Sequence, residues 1–504
     1  MMILEVWKVS RVEFANLFFL YILLPLTLLI YFAMPDIQRK NFVLVAASFL
    51  FYSMGQPIYL LLLAGLSYLN FRLALRIRPN RRHTLYLPLA VNIGVFFLFQ
   101  HVDFLLGIVG VGTESGGFLL GIVKKIISGL NSIGMNLAEP QTLLPVGLPF
   151  YLLSVISYFL DIYNGKIKAE KSLLNLLVYL TMFPKLAQGP IVRYGQIQKQ
   201  LSGRRVNPRL IFEGSLRFIT GLSKKVLLAD YCARAISDLA GGADRTLVGA
   251  WLCALLYMYR IYFDFTGCCD MAIGLGKVFG FRFSENFDLP YTAVSVTEFT
   301  QKWNTTLSAF FREYVYIPLG GSRLGQVRQA INCLIVWLLV GLWHGGGLNY
   351  IVWALYFFVL VMVEKILESQ LVDLPRALRK FLTMLAVLFS WVFFSHEDTV
   401  ELGGALMGMF GFGGFAAAGV GRKLLNCLPL IMACALGSSS LPREFARLWS
   451  SLCAMSGKQR KDETMTASKV VYVASAFGYI CLLLWLCSVS LTGYGSIPSI
   501  FGGI

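Results

Sequence analysis

The feature that most limits this chain is a series of apolar runs, most of them close to the length of a bilayer crossing, repeated from one end to the other. They fall at roughly 14–34, 41–54, 57–75, 85–101, 104–123, 143–163 and 172–190, and then at 210–229, 246–266, 328–343, 348–367, 380–396, 424–437 and 469–492. A helix needs about 20 mostly apolar residues to cross the hydrocarbon core, so runs such as 41–54 and 424–437 read as tilted or re-entrant segments. The expectation is an all-α integral membrane protein. It should have about 11–13 transmembrane helices, with re-entrant and amphipathic segments around a central tunnel.

Composition closes the alternatives. Of the residues 57% are hydrophobic and 14% charged, against about 25% charged in soluble domains. So little polar surface cannot cover a water-soluble globule. The net charge of +17 comes from short basic clusters between apolar runs, such as Arg76, Arg78, Arg81 and Arg82. That is the pattern of cytoplasmic loops, not of a nucleic-acid-binding face, and no nucleic acid is expected. Arg39 and Lys40 after the first run agree, so the N-terminus should lie outside and the first and third links inside. Five of the cysteines, Cys253, Cys333, Cys434, Cys481 and Cys487, sit in apolar runs, and no Cys/His spacing of the zinc type occurs, so no metal is expected.

The chain reads as one integral membrane domain in three parts. Residues 1–140 are a transmembrane scaffold, 141–365 a core dense in Gly, Pro, Arg, Asp, Asn and His, and 366–504 a C-terminal set of helices with a polar linker at about 455–465. The apolar stretch from Phe14 to Met34 is too long for a secretory signal and is expected to be retained as a span.

Four histidines occur. His83 lies among arginines, and His101 and His396 end apolar runs beside Asp103 and Glu397, as interfacial residues do. His344 ends the run Leu334 to Trp343 and precedes Gly345, Gly346 and Gly347. An ionisable residue there is costly and marks a functional site by default; the bland reading is a helix end capped by carbonyls. The glycines would let an acyl group or another backbone come close. Upstream, Trp303, Leu307, Phe310, Phe311 and Tyr314 recur at helical spacing, which predicts an amphipathic helix lining a pocket. Asn304 within it could polarise a carbonyl or be a surface amide. Arg260 and Asp264, one helical turn apart, could form a structural ion pair or serve the chemistry.

In order along the chain, five stretches resemble the membrane-bound O-acyltransferase (MBOAT) family. They are Leu144-Pro145-Val146-Gly147 through Tyr163, Phe183-Pro184-Lys185 through Arg193, Tyr262-Phe263-Asp264-Phe265 through Gly274, Trp303 through Gly321, and Trp343-His344-Gly345. Five motifs in the right order are specific. The likeness is to the bacterial branch of alginate O-acetyltransferases and covers about residues 140–360. It implies a multi-pass protein of the bacterial inner membrane that transfers acetyl from a cytoplasmic thioester, acetyl-CoA or an acyl-carrier protein, across the lipid bilayer. The acceptor would be an extracytoplasmic polysaccharide or an acyltransferase partner that finishes the transfer. The resemblance also implies His344 as the catalytic base or acyl-handling residue. Asn304 stands where this branch commonly has a second histidine, which excludes a two-histidine relay. Asp264, Arg260, Arg312, Tyr316 and Trp343 are expected to support or line the site. D-alanyl transfer to teichoic acid is the runner-up, and a transporter or flippase without acyl chemistry a third reading; the inverted repeats common in transporters are not evident.

Overall fold

The computed structural model describes residues 13–54, 57–108, 118–132, 144–186, 188–445, 447–448, 463–498 and 500. Most of the expected linker at 455–465, and residues 109–117 of the run expected at 104–123, lie outside them. The described residues fold into helices joined by turns, and no strand occurs among them. The main helices are α1 (Phe19–Ala33), α2 (Ile37–Ser53), α3 (Pro57–Ala74), α4 (His83–Gln100) and α5 (Leu148–Tyr163) in the first part. The middle holds α6 (Pro208–Ser223), α7 (Asp230–Leu239), α8 (Leu247–Val278), α9 (Val296–Lys302), α10 (Thr305–Phe311), α11 (Gln326–His344) and α12 (Leu348–Ile366). The last part holds α13 (Arg376–Ser395), α14 (Thr399–Met409), α15 (Val420–Gly437) and α16 (Glu463–Tyr494).

Among the described residues, seven helices are long and apolar enough to cross a bilayer: α3, α4, α11, α12, α13, α15 and the 474–494 part of α16. The expectation of about 11–13 crossings counted runs that are apolar but short, such as α1 and α5. It also counted the 32-residue α8, which holds Arg260, Asp264 and Asp270 within its length. The run at 424–437, read as short, is the larger part of an 18-residue helix that starts at Val420 and tolerates Pro429.

Two large apolar cores divide the molecule. One joins α1–α5 with residues 176–201, part of α6 and the Cys487–Leu491 turn of α16. The other joins α8, residues 291–311, α11, α12, α13 and Cys434. The first half of α8 lies in the second core, and its far end packs on α6 through four glycines. A Cβ at Gly214 or Gly274 would stand 2.6 Å from the other's carbonyl oxygen; at Gly221 and Gly267 the figures are 2.6 and 2.8 Å. Backbones this close need small residues, and they hold α8 tightly against α6.

The polar ends of the molecule differ. Asn80 in the arginine-rich link donates to the Tyr163 carbonyl (2.9 Å), and Lys166 just beyond it pairs with Glu313, as does Arg193. Lys365 bonds Gln329 near Arg379. These contacts place the basic links and the starts of α11 and α13 at one end. The far end of α13 carries His396, Glu397 and Asp398.

Candidate functional site

The amphipathic helix expected from Trp303, Leu307, Phe310, Phe311 and Tyr314 runs from Thr305 through Tyr316, and a turn before it separates it from α9 and leaves Trp303 outside it. Ser295 caps α9 by accepting from the Glu298 amide (3.0 Å), and the Glu364 carboxylate of α12 accepts from the Val296 and Thr297 amides (2.9 and 2.7 Å). Negative charge at a helix start is favourable, so α9 is pinned to α12. The chain then turns sharply at Asn304, whose φ of 45° and ψ of 56° lie in the left-handed region that asparagine tolerates better than most residues. Asn286 locks the turn: its backbone oxygen accepts from Thr305 (2.9 Å), and its side-chain oxygen accepts from the Thr306 amide and hydroxyl (3.2 and 2.8 Å). Asn304 is thereby buried, and its side-chain oxygen has no hydrogen-bond partner among the described residues. A buried polar atom left open in this way is one that a substrate can satisfy.

His344 is the last residue of α11 and is buried, with the rings of Trp353 and Phe394 edge-on at 5.1 and 5.2 Å. The helix end is held from behind. Gln100 donates to the Trp343 carbonyl (2.8 Å), and the Trp343 indole reaches the Pro149 carbonyl (3.5 Å) while packing on Phe150. His101, expected at the interface, is instead buried against this end, within reach of the Leu342 carbonyl. The glycines after His344 serve the protein's own packing: a Cβ on Gly345 would stand 2.2 Å from the Tyr350 ring, and one on Gly346 would stand 2.8 Å from the Gln100 carbonyl.

His344, Asn304, Arg312 and Tyr316 line one cavity of about 250 Å³. Its walls are otherwise mainly aromatic and apolar, from Phe299, Trp303, Trp337, Trp353, Phe357 and Trp391. No carboxylate is among its lining residues, so nothing in the wall itself forms an Asp-His pair with the imidazole. At the basic end it shares Gln301, Ser308 and Arg312 with a wider recess holding Lys166, Arg193 and Glu313. Desolvation pushes the Glu313 carboxyl up, but the Lys166 and Arg193 contacts outweigh it and hold the group below the usual carboxylate range.

The other candidates lie elsewhere. Asp264 is not paired with Arg260: its ion partner is Lys225 (3.1 Å), which also holds Asp230 (2.7 Å), and it accepts the Ile500 amide (2.7 Å). The i,i+4 spacing puts Arg260 and Asp264 on one stripe of α8, but the lysine arrives from the segment between α6 and α7, which spacing along α8 cannot reveal. Arg260 lines a second cavity of about 350 Å³, whose wall includes Trp391. Trp343 supports the helix end from behind and is absent from the cavity wall. Missed by sequence reasoning were Trp391 and Trp353, which lie in unremarkable apolar runs and give no signal except tertiary packing.

The MBOAT, membrane-bound O-acyltransferase family profile matches residues 148–399, a span that contains every residue of the first cavity. The chain is 33% identical over 427 residues to the protein named probable alginate O-acetylase AlgI of Pseudomonas syringae pv. tomato, covering 82% of this chain and 78% of that protein. It is 28% identical to the peptidoglycan O-acetyltransferase of Helicobacter pylori, covering 84% of each. It is 24% identical to the teichoic acid D-alanyltransferase of Bacillus subtilis over 48% of this chain and 65% of that protein.

Proposed function

We propose a function from one premise: this chain belongs to the membrane-bound O-acyltransferase family and is an acyltransferase. The reading is O-acetylation of an extracytoplasmic polysaccharide, with acetyl drawn from a cytoplasmic thioester, acetyl-CoA or an acyl-carrier protein. One observation supports it above the rest: a buried histidine and a buried amide share the wall of a narrow aromatic cavity. That cavity meets a recess with Lys166, Arg193 and Arg312 at the basic end, which the positive-inside bias assigns to the cytoplasm. Cationic side chains there suit a phosphate-bearing donor, and the narrow cavity suits a small acyl group.

In this mechanism the neutral His344 imidazole removes the proton of the attacking hydroxyl, or takes the acyl group briefly on a ring nitrogen and passes it on. The thioester carbonyl becomes tetrahedral, and the Asn304 amide donates to its oxygen as negative charge develops. Collapse releases the thiol, which leaves with the proton from His344. The aromatic walls exclude water that would hydrolyse the thioester, and Arg312 and Tyr316 hold the donor's polar part at the mouth. D-alanyl transfer is the weaker reading, since likeness to that enzyme spans only 48% of the chain at 24% identity.

The test is His344→Ala in cells lacking any paralogue, with mass analysis of surface polymers and blotting of membranes. The expected result is loss of polymer acetyl groups with the protein still inserted. Retained acetylation sinks the reading, and loss of D-alanine esters in place of acetyl groups selects the alternative.

A further inference from the structure

At the basic end of the molecule lies a groove that the reaction does not use. It runs between the start of α9, the first turns of α11 and α13, and the end of α12, with a volume of about 760 Å³. That is within the ordinary range for small-molecule sites. Its walls are mainly apolar, and Val363, Leu367, Val372 and Leu382 among them are exposed. α11, α12 and α13 are all long and apolar enough to span, so this exposed apolar surface meets lipid tails in a bilayer.

Two cations, Arg379 and Lys365, line the groove. Neither forms an ion pair among the described residues: Lys365 donates to the Gln329 side-chain oxygen, and Arg379 Nε is buried with no hydrogen-bond partner. Two carboxylates line it as well. Glu364 is committed to α9, accepting from the Val296 and Thr297 amides and the Thr297 hydroxyl (2.9, 2.7 and 2.6 Å). Glu368 is exposed in the short helix Glu368–Val372 that follows α12. A guanidinium always carries its charge, and one at the edge of the hydrocarbon is costly unless an anion meets it. Its planar fork fits a phosphate through two parallel hydrogen bonds. From Arg379 the groove continues past Leu382 and Thr383 to Ala386, a rise of about 10 Å along α13. A cationic mouth with an apolar channel running inward from it has the outline of a glycerophospholipid, which a free phosphate would leave largely unfilled.

We propose that this groove holds one anionic phospholipid of the cytoplasmic leaflet, its phosphate on Arg379 and Lys365 and its chains along Leu360, Leu371 and Leu382. The basic end is the cytoplasmic one by the charge bias, and anionic lipids of that leaflet attract cationic side chains. The groove shares Gln301, Tyr316, Cys333 and Val361 with the cavity of His344. The lipid therefore backs that cavity on its bilayer side and closes the seam to water. The sealing role rests on the acyltransfer reading above; the lipid site itself does not.

The experiment titrates the delipidated full chain in neutral detergent with phosphatidylglycerol and with phosphatidylcholine of identical chains, and reads bound lipid by native mass spectrometry. Wild type should take phosphatidylglycerol about tenfold or more tighter, because a choline ammonium would stand against two cations. Arg379→Gln combined with Lys365→Gln should abolish that preference. Lys380→Gln, the next residue of α13 but outside the groove lining, should keep it. Leu382→Trp, which fills the groove and leaves both charges, should weaken binding of both lipids. Equal affinity for the two lipids in wild type, an undiminished preference in the double variant, or full affinity in Leu382→Trp overturns the proposal. So does displacement of phosphatidylglycerol by excess glycerol 1-phosphate, which would make this a free-phosphate site. In nanodiscs without acceptor, wild type should hydrolyse acetyl-CoA faster in phosphatidylcholine than in phosphatidylglycerol, and the double variant equally in both; equal rates in wild type overturn the sealing role. Full acetyl-CoA consumption by His344→Ala in the same nanodiscs sinks the acyltransfer reading and the sealing role with it, and leaves the lipid site standing.

Discussion

Gly341→Ala tests whether the placement of His344 along α11 governs the reaction. Gly341 lies three residues before His344, where α11 crosses α12. A Cβ there would stand 2.9 Å from the Tyr350 carbonyl oxygen and 2.9 Å from Ala354 Cβ, where ordinary contact begins at 3.4 Å. Neither neighbour can swing aside, since one is backbone and the other a methyl fixed to its helix. The last turn of α11 must therefore move off α12 by about 0.5–1 Å, which forfeits part of the dispersion contact on that seam. Overpacking of this kind costs about 1–3 kcal/mol of stability. A displacement of 1 Å at a reacting group can cost about 100-fold in rate, so kcat should fall by about 10- to 100-fold. The assay is initial-rate acyl transfer by the protein in nanodiscs, with a thermal melt of the same sample. Gly214→Ala is the control: its Cβ would stand 2.6 Å from the Gly274 carbonyl oxygen, far from His344 in the chain and on a different seam. It should lower the melting temperature without lowering kcat at temperatures where the protein is folded. A wild-type kcat in Gly341→Ala, or equal losses in both variants, would refute the reasoning.

Three further outcomes follow from the structure. Asn304→Ala should lower kcat/KM by about 100-fold through loss of the amide and cost about 1 kcal/mol for an alanine at positive φ. Asn304→Gly should recover the stability and not the rate, which separates the two effects. Lys225→Met leaves Asp230 and Asp264 buried without their shared cation and should cost about 3–5 kcal/mol in melts; adding Asp264→Leu should recover part of that loss, and strict additivity would argue against the coupling. Glu313 has its folded-state carboxyl below the usual range, so its contribution is present above the unfolded value and is lost as pH falls through the folded one. Wild type should lose up to about 1 kcal/mol in that acid window that Glu313→Gln does not lose, a small figure because the carboxyl is 28% exposed.

Much was legible before any coordinates. Run length and charge pattern gave the all-helical membrane class, because a bilayer forces backbone polar groups to be satisfied within each segment. His344 stood out as an ionisable side chain that ends an apolar run and is followed by three glycines. The Asn304 turn did not, since Trp303, Leu307, Phe310 and Tyr314 keep helical spacing on both sides of it. Periodicity reports faces and says little about a single residue that leaves the helix and returns. Arg260 and Asp264 show the opposite failure: a spacing that permits a pair was overridden by Lys225, a partner 39 positions from Asp264 that is brought there by a close glycine seam.

The sequence by itself determined the solvent, the helices and the histidine that stands between an apolar run and three glycines. Each of these follows from chemistry local to a run of residues. Tertiary structure alone decided which candidates share a chamber: His344, Asn304, Arg312 and Tyr316 in one cavity, Arg260 in another, and Trp391 between them. The physical reason is that a cavity is what remains after helices far apart in sequence have packed. Its lining depends on crossing points such as Gly341 against Tyr350, and no single segment encodes where those fall.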